Sequence, residues 1–419
     1  MNDRGLATRG VPPPGAAVYQ RSVAEVTTFS IIVSLSFCHL LNDLMQSLVP
    51  ALYPVLKSSY GLSFGQIGVI TLTVQCTASL LQPVVGVYTD RRPQPYSLAV
   101  GIGFTLVGLV AMSRAASYPA ILMAAALIGM GSAVFHPEAS RVARMAAGGR
   151  YGLAQSLFQV GGNAGAASGP LLAAFVVVPR GQSSIAWFAL AALVAIVVLL
   201  QVAGWYARQR EPRRPASRPA PTAVSTPRES ALPRRQVATA VVVLVALLFS
   251  KNVYSASLSS YYTLYLIDRF HLSVQTSQFY LFAFLVGIVI GTIAGGAVAD
   301  RLGRIPVMWF SILGALPFAL ILPYANLVWT GILAVLIAII IASAFSAILV
   351  YAQELLPGRV GLTAGMFYGL SFGLAGLGAA ALGRLADLTS ISTVYRLTPF
   401  LLSLGLLTAL LPRRPGRAV

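Results

Sequence analysis

Four polar residues stand at helical spacing in an otherwise apolar stretch near the start of the chain. His39, Asn42, Asp43 and Gln46 occupy positions i, i+3, i+4 and i+7, and so share one helix face. Burial disfavours the charged forms of a carboxyl and an imidazole, which favours proton exchange near neutral pH. We therefore expect His39 and Asp43 to carry protons. The alternative is a structural polar network between helices.

A second cluster combines an imidazole, an acid and cations. His136 and Glu138 flank Pro137, which removes a helical hydrogen bond and permits local bending, and Arg141 and Arg144 follow. Glu138 and Arg141 are three residues apart and can pair, whereas His136 is free to face an aqueous vestibule. We expect His136 and Glu138 to exchange protons. The alternative is an interfacial charge cluster that fixes topology.

One lysine lies in the middle of an apolar stretch. Lys251 is next to Asn252, and tyrosines follow it. A buried cation requires an anion, which is either Asp43 or a negatively charged ligand, and we favour the ligand. The residues expected to bind that ligand are Lys251, Asn42, Gln46, Gln159, Asn163, Asn252, Tyr254, Tyr261 and Tyr262.

The same acids and imidazoles would allow a metal-dependent membrane enzyme. His39 and Asp43 stand far from His136 and Glu138 in the chain, and no metal-spacing motif joins them. The chain has only two cysteines, which excludes a cysteine-rich zinc site. We predict no metal, no cofactor and no enzyme activity.

The elements that position these residues must cross a membrane. The chain has 419 residues, of which 57% are apolar and only 10% charged, and its mean hydropathy is +0.78. These values exclude an ordinary soluble domain. Twelve apolar stretches are long enough to span a bilayer, so we predict an all-α integral membrane protein. The predicted spans are 27–50, 64–86, 96–113, 118–140, 151–178, 184–206, 237–260, 274–297, 305–323, 326–350, 360–382 and 394–411.

The positive charges lie between these stretches. The net charge of +18 therefore does not form a basic face, and we predict no binding to nucleic acid. With an even number of crossings, 22 of the 29 Lys and Arg residues fall on one side of the membrane. The excess predicts that both termini and the central linker are cytoplasmic.

The chain divides into two similar halves. We predict a disordered cytoplasmic arm at 1–26, six-helix bundles at 27–206 and 237–411, a cytoplasmic linker rich in Pro and Arg at 207–236, and a cytoplasmic tail at 412–419. At an offset of 210 residues, Tyr60-Gly61-Leu62-Ser63 aligns with Phe270-His271-Leu272-Ser273. Membrane transporters are commonly built from such repeats.

A repeated loop carries a family resemblance. Gly86-Val-Tyr-Thr-Asp90-Arg91 aligns with Gly296-Ala-Val-Ala-Asp300-Arg301, and the second copy continues through Gly303 and Arg304. Both resemble the cytoplasmic signature of the major facilitator superfamily, which implies two pseudo-symmetric six-helix bundles and a charged latch at the cytoplasmic gate. The alternative is a turn that only sets topology. The predicted gating residues are Asp90, Arg91, Arg141, Arg144, Asp300, Arg301, Arg304, Glu354 and Arg359.

The fifth span contains small residues at helical spacing. Gly161, Gly165 and Gly169 stand four apart and precede Pro170, so another helix can approach closely. This run also resembles the fifth-helix motif of proton-coupled drug exporters, although Ala173 and Ala174 replace its usual glycines. Generic close packing explains the same run.

Longer runs suggest a narrower branch. Residues 39–43, 134–150, 152–163 and 343–359 resemble exporters of the phosphonate antibiotic fosmidomycin. The resemblance implies a monomeric exporter in the bacterial inner membrane that exchanges a small anionic substrate for protons. An uptake symporter or facilitator for a small organic anion is the alternative, because the same fold serves either direction.

Overall fold

The computed structural model describes residues 27–92, 94–148, 151–209, 233–356 and 360–412, and in these ranges it consists of helices and short connections. Twelve helical segments of the described chain are long and apolar enough to cross a membrane, which confirms the predicted number. The predicted arm at 1–26, most of the linker and nearly all of the tail lie outside the described residues.

The described residues of the first half form eight α-helices, which make up six spans. The fifth span continues from α6 through a π-helical turn at Ala173–Val177 into α7, and the sixth begins as a 3-10 helix at Gln182–Phe188. The helices are α1 (Phe29–Ala51), α2 (Tyr53–Tyr60), α3 (Phe64–Arg91), α4 (Ser97–Arg114), α5 (Tyr118–Ala146), α6 (Tyr151–Leu172), α7 (Val178–Arg180) and α8 (Ala189–Gln209).

The second half contributes the other six spans. Short 3-10 segments at Leu322–Tyr324 and Thr398–Leu410 extend the ninth and twelfth spans. The helices are α9 (Arg234–Phe270), α10 (Val274–Leu302), α11 (Arg304–Leu313), α12 (Leu316–Ile321), α13 (Leu327–Ala342), α14 (Ala344–Leu355), α15 (Val360–Leu388) and α16 (Ile391–Leu397).

The seventh span is longer than the sequence predicts. The prediction of 237–260 stops where serines and tyrosines lower the hydropathy, whereas α9 continues to Phe270. Tyr261, Tyr262 and Tyr265 are fully buried between helices instead of facing lipid. Hydropathy therefore understates a helix whose final turns are covered by protein.

The repeat is visible in two matching turns. Gly61 (φ +61°) and His271 (φ +54°) both end a helix in the left-handed conformation, which non-glycine residues rarely adopt. Ser63 then caps α3 by accepting from Gln66 N at 3.1 Å, and Ser273 caps α10 by accepting from Thr276 N at 3.0 Å. The end of the bundle that carries these turns is called the turn end below.

The two halves meet at the turn end and separate towards the other end. Helix α3 of the first half lies against α15 of the second, and Gly376 of α15 is in close contact with Leu72 and Gln75. About one turn earlier in α15, and so further from the turn end, the space beside Gly373 is open. The neighbouring Phe372 lines a cavity between the halves, on the side where α3 and α15 diverge.

Candidate functional site

The polar face of α1 points into the first half. His39 Nδ1 lies 2.8 Å from the Phe158 carbonyl oxygen of α6, and the Gln46 amide donates to the Ile128 carbonyl of α5 at 2.8 Å. Asn42 is fully buried and donates to Asp43 Oδ1 at 2.9 Å. The helical spacing therefore places all four side chains where protein, not lipid, surrounds them.

Asp43 lies between two imidazoles. Its Oδ2 is 3.2 Å from His39 Nε2, and its Oδ1 is 3.8 Å from His136 Nε2. The two imidazole rings are edge to face, with their centroids 5.1 Å apart. The structure thus unites residues from α1 and α5 that are almost a hundred positions apart, and we call His39, Asp43 and His136 the triad.

The hydrogen bonds of His39 determine where protons must be. The Phe158 carbonyl can only accept, so Nδ1 of His39 carries a hydrogen. The contact between Nε2 and Asp43 is a hydrogen bond only if a second proton lies between these atoms, on either the imidazole or the carboxyl. When such a proton is present, the pair can lose it without breaking the bond to Phe158.

A glycine of α6 makes room for the triad. A Cβ atom at Gly162 would lie 2.7 Å from Asp43 Oδ2 and would also overlap the His39 ring, so any side chain here would displace both. Gly161, Gly165 and Gly169 pack in the same way on Ser36, Leu40 and Ser47 of α1. Sequence reasoning identified the packing seam but not the part that Gly162 plays.

The triad opens onto a cavity of about 270 Å³ between the two halves. Asp43, Gln46 and His136 line it; the sequence predicts ligand binding for Gln46 and proton exchange for Asp43 and His136. Sequence reasoning missed several other polar lining residues, although polar side chains in apolar spans are themselves a signal. These residues include Ser47, Thr71, Gln75, Gln82, Ser132, Ser259 and Ser260.

Glu138, for which the sequence predicts proton exchange, lies apart from this cavity. Its side chain is 1% exposed and accepts from Arg141 at 2.8 Å and from Ser97 at 3.2 Å. Arg141 also donates to the Thr89 carbonyl at 2.6 Å and to the Tyr206 hydroxyl at 2.5 Å. The Glu138–Arg141 pair therefore joins α3, α4, α5 and α8. The Glu138 carboxylate is engaged by the Arg141 guanidinium.

Lys251 is buried, but it does not reach the triad. Its Nζ lies 5.1 Å from the centre of the Phe345 ring, and the described residues provide no ion pair with Asp43. The neighbouring Asn252 has a buried amide nitrogen without a hydrogen-bond partner in the described chain. In this conformation, Asp43 is therefore not the counter-ion that one alternative assigned to Lys251.

The other predicted ligand-binding residues are absent from the cavity wall in this conformation. The hydroxyl of Tyr261 donates to the Ala379 carbonyl at 2.6 Å, and that of Tyr262 donates to the Thr330 carbonyl at 3.2 Å. Gln159 contacts Asn163 at 3.5 Å, and Tyr254 is buried. Main-chain acceptors occupy the two hydroxyl groups, which is why these tyrosines serve here as packing residues.

The predicted gating residues are described only in part. The side chains of Asp90, Arg91, Asp300 and Glu354 are not among those described, and Arg359 lies outside the described residues. Helix α10 ends at Gly303 with φ +86°, a left-handed value that suits the glycine of the second repeated loop. Arg144 and Arg301 are exposed, and Arg304 is half-buried.

The triad also has the composition of a metal site. One ligand atom from each of His39, Asp43 and His136 lies within 4.8 Å of the others, and imidazole with carboxylate suits several transition metals. However, the Asn42 amide already donates to Asp43 Oδ1, and His39 Nε2 lies within hydrogen-bond distance of Oδ2. The observed hydrogen bonds thus favour proton binding at this place.

Comparison with known proteins gives concordant results. A family model described as Major Facilitator Superfamily matches residues 35–380. The chain is 56% identical over 407 residues to the "Fosmidomycin resistance protein" of Escherichia coli (strain K12), with coverage of 97% of this chain and 98% of that protein. It is 42% identical over 409 residues to the "Uncharacterized MFS-type transporter YfnC" of Bacillus subtilis (strain 168), with coverage of 97% and 96%.

Solved structures share the same architecture. The crystal structure of nucleoside transporter NupG aligns with a TM-score of 0.71 at 12% identity, covering 92% of this chain and all of that chain (100%). The crystal structure of a D-xylose-proton symporter aligns with a TM-score of 0.71 at 15% identity, covering 92% and 98%. At these identities the likeness concerns the fold alone.

Proposed function

The chain belongs to the major facilitator superfamily, and from this premise we propose that it exports fosmidomycin or a related small anionic phosphonate across the bacterial inner membrane in exchange for protons. Membership of the family indicates a multi-pass membrane transporter and not an enzyme. The class of substrate, the direction of transport and the identity of the coupling ion are the parts that we propose. The relative that is 56% identical over nearly its whole length supports the choice of substrate.

The observation that supports the proton coupling is the 3.2 Å contact between Asp43 Oδ2 and His39 Nε2, where the two side chains can share a proton. It lies beside a cavity between the two halves, and His136 provides a second imidazole 3.8 Å from the same carboxylate. A membrane-buried carboxyl that can gain and lose a proton next to water is the device that proton-coupled transport requires. We assign the coupling proton to the triad and not to Glu138, which is engaged with Arg141.

Coupling requires proton and anion to favour opposite orientations. A ligand shifts a two-state equilibrium only by its difference in affinity for the two states. Protonation of the triad would favour one orientation of the two halves, whereas the anion would favour the other. Lys251 is the proposed counter-charge for the anion, because a buried cation next to an unsatisfied amide on Asn252 is costly until an anion reaches it.

The proposed orientation follows from the distribution of positive charge. Both termini and the linker are placed in the cytoplasm, so the turn end faces outwards and the separating ends of α3 and α15 face the cytoplasm. The structure then represents an inward-facing state, in which the drug enters from inside. We also propose that the two bundles end and begin at residues 206 and 237. We further propose that the transporter acts as a monomer.

Transport into inverted membrane vesicles tests the proposal directly. We expect fosmidomycin to accumulate when the vesicle interior is acidic and to accumulate far less without a pH gradient, while an uncharged drug of similar size is not accumulated. Expression in sensitive cells adds the direction, since an exporter confers resistance and an uptake carrier confers sensitivity. Accumulation that ignores the gradient would disprove proton exchange.

A further inference from the structure

Asp387 connects the two halves at the turn end. It stands near the end of α15, and its Oδ1 accepts from the Phe64 backbone N at 2.7 Å while its Oδ2 accepts from the Gly65 backbone N at 2.7 Å. These are the first two N–H groups of α3, which have no partner within their own helix. A carboxylate of the second half therefore caps a helix of the first half.

The backbone around this carboxylate is shaped for close approach. A Cβ atom at Gly65 would lie 2.8 Å from Asp387 Oδ2, and one at Gly68 would lie 2.7 Å from Ala380 Cα. Both separations are shorter than normal contacts, so only glycine lets α3 and α15 meet as they do. The contact therefore depends on the backbones of both helices and not only on flexible side chains.

Tyr261 of α9 contacts both α3 and α15 beside Asp387. Its buried hydroxyl lies 2.6 Å from the Ala379 carbonyl of α15 and 3.2 Å from the Phe64 carbonyl of α3. The hydroxyl therefore contacts the same turn of α3 that Asp387 caps. This explains why Tyr261 is part of the closed junction and not of the cavity wall.

The other repeat closes without an acid. At an offset of 209 residues, which aligns Gly152-Leu153 with Gly361-Leu362, Val178 takes the place of Asp387. There the halves meet through amides: Gln278 donates to the Ala51 carbonyl at 2.8 Å, and Gln275 contacts the Ala174 carbonyl at 3.4 Å. The architecture thus does not need a carboxylate at this position, which points to a specific task for Asp387.

We propose that Asp387 is the latch of the outer gate. Its two charge-assisted hydrogen bonds to the N-terminus of α3 stabilise the state that is closed at the turn end, and they must break before cargo can leave. Asp387 is exposed, so water can replace both bonds when the halves separate. The assignment of this end to the outside rests on the proposed function.

Thiol labelling of the full-length transporter tests the latch. Cys38 and Cys76 are replaced by alanine, and Gln75→Cys places one thiol in the cavity wall, ten residues or about 15 Å along α3 from Gly65. A membrane-impermeant maleimide is added from either face, in right-side-out and inverted vesicles, without drug and without a pH gradient. We expect slow labelling from the outside in this reference protein.

Two variants should open the gate by different means. Asp387→Asn keeps the shape but sets an amide NH₂ against a backbone N–H, and Gly65→Ala pushes the carboxylate away. We expect each to raise the rate of labelling from the outside at least about tenfold, which corresponds to about 1.4 kcal/mol. Asp268→Asn is the matched control, since Asp268 is an exposed acid near the same end without a hydrogen bond or ion pair in the described chain.

An unchanged labelling rate in Asp387→Asn overturns the latch, and so does an equal increase in the Asp268→Asn control. The orientation is judged separately from the reference protein. If that protein labels rapidly from the outside and slowly from the cytoplasmic face, the topology in the proposed function is wrong. The latch is then tested by the rate at which the same variants are labelled from the face where the reference protein labels slowly. Failure of the latch and failure of the topology therefore remain distinguishable.

Discussion

Asp43 Oδ2 lies 3.2 Å from His39 Nε2, one helical turn away on α1, and these two atoms can bond only through a proton. The opposite nitrogen of His39 is committed to the Phe158 carbonyl at 2.8 Å, which fixes the ring. Loss of the shared proton would place a bare carboxylate against a neutral imidazole nitrogen. Protonation of this pair is therefore linked to how α1 and α6 pack.

Replacement of Asp43 by Asn should abolish drug-driven proton flux. The amide keeps the size of the side chain but cannot take up or release a proton in this pH range. In proteoliposomes we expect the flux to fall at least about tenfold while the protein remains folded. Asp268→Asn, which changes an exposed acid, should leave the flux intact. Normal flux in Asp43→Asn would remove this carboxyl from the mechanism.

The sequence predicted the fold class and the face of α1 correctly, for a physical reason. Helical periodicity determines which side chains share a face, so the positions 39, 42, 43 and 46 were sufficient to predict one polar stripe. Hydropathy likewise predicted twelve spans, and the structure confirms that number. Hydropathy placed the end of α9 too early, because hydropathy scales measure transfer of a side chain into lipid and not its burial against other helices.

Contacts between helices could not be predicted from spacing. Helical spacing predicted that Glu138 can pair with Arg141 and that His136 points elsewhere, but it did not identify Asp43 of α1 as the partner of His136. The partner of each side chain depends on which helix lies opposite, and a single sequence does not specify that neighbour. The same limitation applies to Lys251, whose position in the chain gave no indication of the Phe345 ring beside it.

Lys251→Ala should weaken the binding of an anionic phosphonate. A charge-assisted hydrogen bond is worth about 1.5–3 kcal/mol, so we expect the dissociation constant to rise roughly tenfold to a hundredfold. Isothermal titration of the purified transporter with fosmidomycin measures this change. Lys57→Ala is the control, because Lys57 donates to the Leu62 carbonyl at the turn end and does not line the cavity. Equal affinity in Lys251→Ala and the parent would rule out direct recognition of charge by Lys251.

Gly162→Ala should impair transport through crowding of the triad. The added methyl group would lie 2.7 Å from Asp43 Oδ2, and overpacking of this kind costs about 1–3 kcal/mol. We expect a lower thermal midpoint and transport reduced several-fold. Gly103→Ala provides the contrast, since the space beside Gly103 is open and alanine favours a helix by about 0.5–1 kcal/mol. If both variants behave alike, the packing at Gly162 has no part in holding the triad.

Glu138→Gln distinguishes an anchor from a proton carrier. The amide removes the charge that Arg141 faces at 2.8 Å, so the helices held by this pair should be less stable by about 1.5–3 kcal/mol. Proton-coupled transport by the folded protein should persist, because Asp43 and not Glu138 lines the cavity. The measurements are a thermal unfolding midpoint and drug-driven proton flux, each compared with Asp268→Asn. A variant with unchanged stability and no proton flux would return Glu138 to the coupling machinery and would require a conformation in which Arg141 releases it.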